Sequence, residues 1–156
     1  MIFTCNRKEP IIMLLLPSRK AASVREGHND DITKLFQFFK QCRIHNPQFY
    51  HEFQLDDKHI VRNIFWSHAS QQGDYADFGD CVTFDTTYRT NMYSMPLAMF
   101  VGCNHQLQNV VFAQALIRDE KADTFDWVFQ SFLECMDGKM PICILTGKSC
   151  TEPPLS

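Results

Sequence analysis

The residue best suited to chemistry in this sequence is an aspartate inside a strand pattern. Cys81 to Tyr88 has the β-branched and aromatic composition of a strand, and alternation places Asp85 on the face opposite Phe84. An apolar run from Tyr93 to Val101 predicts a second strand that folds back on the first. A carboxylate between two such strands needs a hydrogen bond, an ion pair or a bound cation. Asp85 is therefore either a rim residue that accepts hydrogen bonds from the threonines after it, or a paired or cation-binding acid.

Two further sets of residues have the side-chain chemistry of a site. Asp119, Glu120 and Asp123 precede a helical pattern, and we interpret them as acids favoured by the positive end of the helix rather than as catalytic groups. Cys42 and His45 form the one Cys-x-x-His spacing, which has no second pair at a zinc-finger interval. The helical pattern instead makes Cys42 a core residue and His45 a solvated one.

Composition limits the class of protein. The chain has 156 residues, 45% of them hydrophobic, which predicts one soluble domain with a single core and no membrane span. The formal charge of -3 argues against a whole-surface nucleic-acid binder. The seven cysteines are widely spaced and mostly lie in apolar segments, where thiols behave as small hydrophobes, so we expect a reducing intracellular compartment.

The elements that position Asp85 follow from the periodicity. Asn29 or Asp30 is predicted to cap a helix that ends at Asn46-Pro47, and a hairpin follows from Phe49 to Trp66. A short helix over Ser67 to Phe78 precedes the Asp85 strand. The later elements are a strand at Asn109 to Ile117, a helix capped by Asp123 or Thr124 and closed by Gly138, and a short buried strand at Pro141 to Leu145.

This order predicts an α/β fold. Three meander strands, a crossover helix and a returning parallel strand form the β-β-β-α-β opening of a ribonuclease-H-like fold, preceded here by a helix and a β-hairpin. In that arrangement the fourth strand lies beside the first. A carboxylate on the first strand and another just beyond the fourth could then hold two metal ions for phosphodiester chemistry. Asp85 occupies the first of these positions.

The central sequence also resembles a known family. The run FGDCVTFDTTYRTNMYSMPLA, the FVGCNHQ turn, the Asp119-Glu120 pair and the FDWVF helix closely resemble the transposase-derived domain of the plant far-red-impaired-response family, which descends from Mutator-like element (MULE) transposases. The resemblance covers about residues 28 to 146. It divides the chain into a linker or unstructured segment at 1–28, a helix plus hairpin at 29–78, the N-terminal part of the transposase domain at 79–146, and a divergent tail at 147–156.

The resemblance implies an ancestral catalytic role for Asp85 and the loss of the acids that would act with it. Asp85 matches the first acid of the catalytic triad of the ancestral transposases, which use magnesium. The family pattern continues after the fourth strand with threonine, aspartate, glutamine and aspartate, whereas this sequence has Gly147 and Ser149 at the two aspartate positions. The third acid would lie beyond Ser156. Asp85 alone cannot hold two divalent ions, so we expect no enzymatic activity and no cofactor in this chain.

The same resemblance implies a function. Full-length relatives are nuclear regulators of transcription in light signalling and development, with zinc-binding domains that are not visible here. We therefore expect a nuclear, non-catalytic regulator or regulator fragment that associates with itself or with full-length members and does not bind specific DNA directly. The alternatives are a divalent-metal-dependent transposase or nuclease, and a remnant without independent function. The end of the resemblance at Gly147 predicts a truncated gene model, an altered reading frame or a retained intron.

Overall fold

The computed structural model describes residues 28–87 and 95–147. They form a mixed α/β fold of three helices around one six-stranded sheet. In chain order the elements are α1 His28–His45, β1 Tyr50–Leu55, β2 Val61–Ser67, α2 Ala69–Phe78, β3 Cys81–Thr87, β4 Leu97–Cys103, β5 Asn109–Leu116, α3 Ala122–Cys135 and β6 Cys143–Thr146.

The strand order of the sheet is β1-β2-β5-β4-β3-β6. Every pairing is antiparallel except that of β6, which lies parallel to β3. Its register places Cys143 opposite Cys81 and Thr146 opposite Phe84. A parallel neighbour requires a crossover, and α3 lies in the connection between β5 and β6. The fourth strand of the β3-β4-β5-α3-β6 unit thus lies beside the first, as the sequence predicts.

One face of the sheet packs against α2 and α3 through aromatic rings. The period of α3 directs Val128 and Phe132 inward, and both are buried. Phe132 stacks on Phe100 of β4 with ring centroids 4.0 Å apart and planes 7° apart. Tyr75 of α2 meets Phe132 edge to face at 5.1 Å. These rings form the centre of the larger hydrophobic cluster.

The opposite face carries a second cluster, so the prediction of a single core needs correction. Phe39 of α1 is fully buried and lies 5.8 Å from the ring of Trp66 on β2. Alternate residues of a strand point to opposite faces of the sheet. A sheet with helices on both faces therefore buries both sets of side chains, which separates the core into two layers. On this second face, the side chains of β3 and β6 remain exposed. We call them the open face: Cys81, Thr83, Asp85, Cys143 and Leu145.

The predicted helices and strands are largely confirmed, and their ends need correction. The hairpin pairs Tyr50 with Ser67, and α2 occupies the predicted short helix. The first helix begins at His28, so Asn29 and Asp30 lie inside it. The last helix begins at Ala122 after Lys121, so Asp123 and Thr124 lie in its first turn rather than at its cap. Helix ends are decided by local backbone geometry, which periodicity does not encode.

The last strand differs from prediction in burial. All four residues of β6 are exposed, whereas the apolar sequence from Pro141 to Leu145 predicts a buried strand. The reason is its position: β6 is at the edge of the sheet that residues 28–87 and 95–147 form, where packing from one side is missing. Three stretches lie outside the described residues: 1–27 of the predicted N-terminal segment 1–28, residues 88–94 with the predicted polar turn and the start of the second strand, and 148–156 of the predicted tail 147–156.

No helix in the described part of the chain is both long enough and apolar enough to cross a membrane.

Candidate functional site

Asp85 lies near the end of β3 on the open face. Alternation along β3 buries Val82 and Phe84 under the helices and leaves Cys81, Thr83 and Asp85 exposed. The neighbouring strand β4 pairs with β3 so that Met99 is directly opposite Asp85. The carboxylate is therefore at an accessible point of the sheet rather than enclosed between two apolar strands.

Among residues 28–87 and 95–147, the hydrogen bond that Asp85 accepts is local. The backbone N–H of Thr86 donates to Asp85 Oδ1 over 2.9 Å. The Thr86 hydroxyl points elsewhere and donates to Glu120 Oε1 over 2.5 Å. Of the two interpretations of Asp85, the contacts match a rim aspartate bonded to its own backbone neighbour.

Gly147 lies next to Asp85. It directly follows β6, and a Cβ atom built on its backbone would be 3.3 Å from Asp85 Oδ1. The parallel pairing of β3 and β6 explains this closeness, because their carboxyl ends meet at the same edge of the sheet. The position at which the family resemblance expects the second acid is thus beside Asp85, and in this chain it has no side chain.

The residues at this site do not fit a pair of divalent cations. Two such ions, about 3.5–4 Å apart, need oxygen ligands from several positions. Across residues 28–87 and 95–147, no three histidine, cysteine, aspartate or glutamate side chains are close enough together to hold a metal ion. Position 149, the second aspartate position of the family pattern, lies outside the described residues.

The acids before α3 have different roles. Asp119 accepts a hydrogen bond from Thr124 Oγ1 at 2.7 Å and one from the backbone N–H of Lys121 at 3.3 Å. The Thr124 hydroxyl is the main cause that lowers the pKa of Asp119, with the Lys121 N–H adding to it. These bonds tie Asp119 to the first turn of α3, in agreement with the helix-end interpretation. Asp123 lies in the same turn and is exposed.

Glu120 is the one acid of this group that reaches the strand with Asp85. Its bond from Thr86 Oγ1 links the start of α3 to the end of β3. This link is not predictable from periodicity, because the two residues are 34 positions apart and lie in different elements. The available signal was topological: β5 ends on the same side of the sheet as β3, so the segment after β5 passes close to Asp85.

The cysteines also depart from prediction. Cys135 is buried and Cys42 is half-buried, as expected for small hydrophobes. Cys81, Cys103 and Cys143 are exposed instead. Each lies on the sheet at a position that alternation turns outward, so the apolar composition of a segment does not determine the burial of its thiol.

Comparison with known proteins identifies relatives of the domain that contains this site. Residues 81–151 match the model of the MULE transposase domain. The chain is 39% identical over 118 residues to the FAR-RED IMPAIRED RESPONSE 1 protein of Arabidopsis thaliana, a match that covers 76% of this chain and 14% of that protein. FAR1-RELATED SEQUENCE 11 of the same plant is 40% identical over 121 residues, covering 78% of this chain and 17% of the relative.

A third relative from this plant, FAR1-RELATED SEQUENCE 4, is 35% identical over 119 residues, covering 76% of this chain and 16% of the relative. The matched region is thus about one sixth of the length of these three proteins. No solved structure matches the chain.

Proposed function

This chain belongs to the far-red-impaired-response family of plant proteins with a MULE transposase domain, and we propose from that membership that it is a non-catalytic regulator of transcription. It acts in the nucleus through protein contacts, in processes of the light-signalling type. One relative is named for a far-red response and another is named as related to it, and the match to each covers about three quarters of this chain.

The proposed fold is the opening part of a ribonuclease-H-like domain. Three antiparallel strands, a crossover helix and a parallel strand beside the first support this assignment. In such a domain the ends of β3 and β6 are where catalytic acids would meet. The helix α1 and the β1–β2 hairpin are an addition that precedes this unit and extends its sheet.

The observation that carries the non-catalytic assignment is the pair Asp85 and Gly147. The backbone at Gly147 is close enough for a side chain to contact the Asp85 carboxylate, and glycine supplies no ligand there. One carboxylate leaves most coordination positions of a divalent ion to water, which does not fix the ion for phosphodiester chemistry. We therefore assign no metal and no catalytic residue to this chain.

A DNA-cleavage assay tests this assignment. The purified chain, incubated with linear and supercoiled DNA in Mg²⁺ or Mn²⁺, is expected to show no more cleavage than buffer. The same low level of DNA cleavage is expected for Asp85→Ala and for the control Asp57→Ala, which lies in the exposed β1–β2 turn. Metal-dependent cleavage that disappears in Asp85→Ala but persists in Asp57→Ala would refute the non-catalytic function and favour a transposase or nuclease.

The proposed contact surface is the outer edge of β6. Within the described residues β6 is the last strand of the sheet, and its outer backbone groups have no strand partner. Apolar side chains accompany this edge: Ile142 is 84% exposed and Leu145 is 54% exposed. We assign the edge to a β-strand from a second member of the family, because strand addition satisfies the backbone groups and covers the apolar side chains together.

A measurement of self-association tests whether the β6 edge forms this contact. In sedimentation equilibrium the chain is expected to form dimers, since two copies can pair their β6 edges. Leu145→Lys should shift the population towards monomer, because an ammonium group would be desolvated in the new pairing. Leu107→Lys, at an 87% exposed position in the β4–β5 turn, is the matched control and should leave the dimer intact. A wild-type chain that remains monomeric would contradict the assignment.

A further inference from the structure

Two exposed thiols meet across the parallel strands β3 and β6. Cys81 and Cys143 are directly paired in the register of the sheet. Their side chains lie on the same face, since paired residues of neighbouring strands point the same way. Both side chains are exposed, so a soluble reagent can reach them.

The backbone geometry suits a covalent link. Neighbouring strands are about 4.7–4.9 Å apart, within the about 4.4–6.8 Å between Cα atoms that disulfides span. The start of β6 is already held in place, because the N–H groups of Ile142 and Cys143 both donate to the carbonyl oxygen of Asp80, at 2.9 and 3.0 Å. The two thiols are therefore presented at a fixed register rather than meeting by chance.

We propose that Cys81 and Cys143 are a redox site that forms a reversible disulfide and fastens the edge strand β6 to β3. The oxidant is a low-molecular-weight disulfide such as glutathione disulfide. One protein thiolate attacks it, forms a mixed disulfide and releases one glutathione thiolate. The second protein thiol loses its proton and attacks the protein sulfur of the mixed disulfide, which releases the second glutathione. Two protein thiols and one glutathione disulfide thus give one protein disulfide and two glutathione thiols.

The disulfide would affect the strand β6, which lies beside Asp85 and forms the outer edge of the sheet. β6 has a strand partner on one side only among the described residues, and its side chains are exposed, so few contacts besides its backbone hydrogen bonds to β3 and Asp80 hold it. A covalent bond at its first residue limits separation of β6 from β3. Oxidation would therefore fix the sheet edge, and reduction would free it.

Peptide mapping tests the pairing directly. The full reduced chain is treated with glutathione disulfide at about pH 8, because partial desolvation and the adjacent Cys143 thiol raise the pKa of Cys81. Remaining thiols are blocked and the protein is digested with trypsin, which separates the relevant cysteines into peptides 63–89, 90–118 and 140–148. We expect one cross-linked product, 63–89 with 140–148, that dithiothreitol removes.

Cys103 provides the matched control. It is exposed on β4, two residues beyond Val101, which pairs with Thr83, so the register brings it to the other side of Cys81. Cys103→Ser should retain the cross-linked product and Cys143→Ser should lose it. A dominant link between 63–89 and 90–118, or mixed disulfides alone on a chain with unchanged circular dichroism, would overturn the proposal. These readouts do not depend on transcription or DNA cleavage.

Hydrogen–deuterium exchange tests the fastening of the strand. The β6 amides of the oxidised chain should exchange more slowly than those of the reduced chain, while exchange in the β1–β2 hairpin stays the same. Equal exchange of β6 in both forms would show that the bond does not restrain the strand, and that part of the proposal would be wrong.

Discussion

Replacing Phe100 with alanine is expected to lower the free energy of unfolding by about 3–5 kcal/mol. Phe100 is fully buried in β4 and stacks on Phe132 of α3. Its ring also lies 4.8 Å from that of Phe84 on β3 and 5.5 Å from that of Phe129. Truncation would leave a cavity between the sheet and α3 that these rigid rings cannot close. A loss of this size is a large part of the roughly 5–15 kcal/mol that stabilises a typical domain.

Urea denaturation followed by circular dichroism measures this loss as a lower midpoint. Ile142→Ala is the control, because Ile142 is 84% exposed and removes little buried surface when truncated. We expect it to change the free energy of unfolding by about 0.5 kcal/mol or less. Similar midpoints for Phe100→Ala and Ile142→Ala would show that the layer between the sheet and α3 is not a packed core.

Local periodicity accounts for most of the fold. The apolar positions of α3 recur with the helical period, and Val128 and Phe132 are buried as that period requires. The alternation in β3 separates Phe84 from Asp85 correctly. The helical period and the strand alternation are strong signals because each depends only on which side of a single helix or strand is buried.

Features that depend on distant residues were harder to predict. The composition of β6 suggests burial, but burial depends on what covers a strand, and β6 lies at the edge of the sheet. The division of the core into two clusters depends on α1 crossing the second face, which its own sequence does not specify. The link from Glu120 to Thr86 is similarly a product of topology.

The candidate site combines both kinds of information. Alternation and strand composition identify Asp85 from local sequence alone. The place of Gly147 beside it follows only from the parallel pairing of β6 with β3, which the order of elements suggested. The family resemblance then gave that position its meaning, since it names the residue type that a catalytic domain would carry there. Residue chemistry, topology and resemblance each supply one part of this inference.

Gly147→Asp is expected to create a divalent-cation site and raise the affinity for Mn²⁺ at least about tenfold over the wild-type chain. The backbone at Gly147 has no positive φ, so an aspartate is conformationally allowed there. Its Cβ would be 3.3 Å from Asp85 Oδ1, so the exposed Asp85 side chain has to move by a few tenths of an ångström. The new carboxylate would lie within a few ångströms of the exposed Asp85. Two like unit charges about 4 Å apart repel by about 1 kcal/mol in water and by about 4 kcal/mol near a protein surface. A cation bound between the two carboxylates replaces this repulsion with attraction. A tenfold gain corresponds to about 1.4 kcal/mol, which is within this range.

Isothermal titration calorimetry with Mn²⁺ measures the gain, and two variants isolate its cause. Gly147→Asn has nearly the same shape without the charge, and Asp85→Asn combined with Gly147→Asp keeps the new acid without its neighbour. Both should bind Mn²⁺ about as weakly as the wild-type chain. Chelation by EDTA should destabilise Gly147→Asp relative to Gly147→Asn, because the two carboxylates then repel without a cation between them. Equal Mn²⁺ affinity in the wild type and Gly147→Asp would mean that the ends of β3 and β6 do not meet as described, and the argument from Gly147 against catalysis would fail.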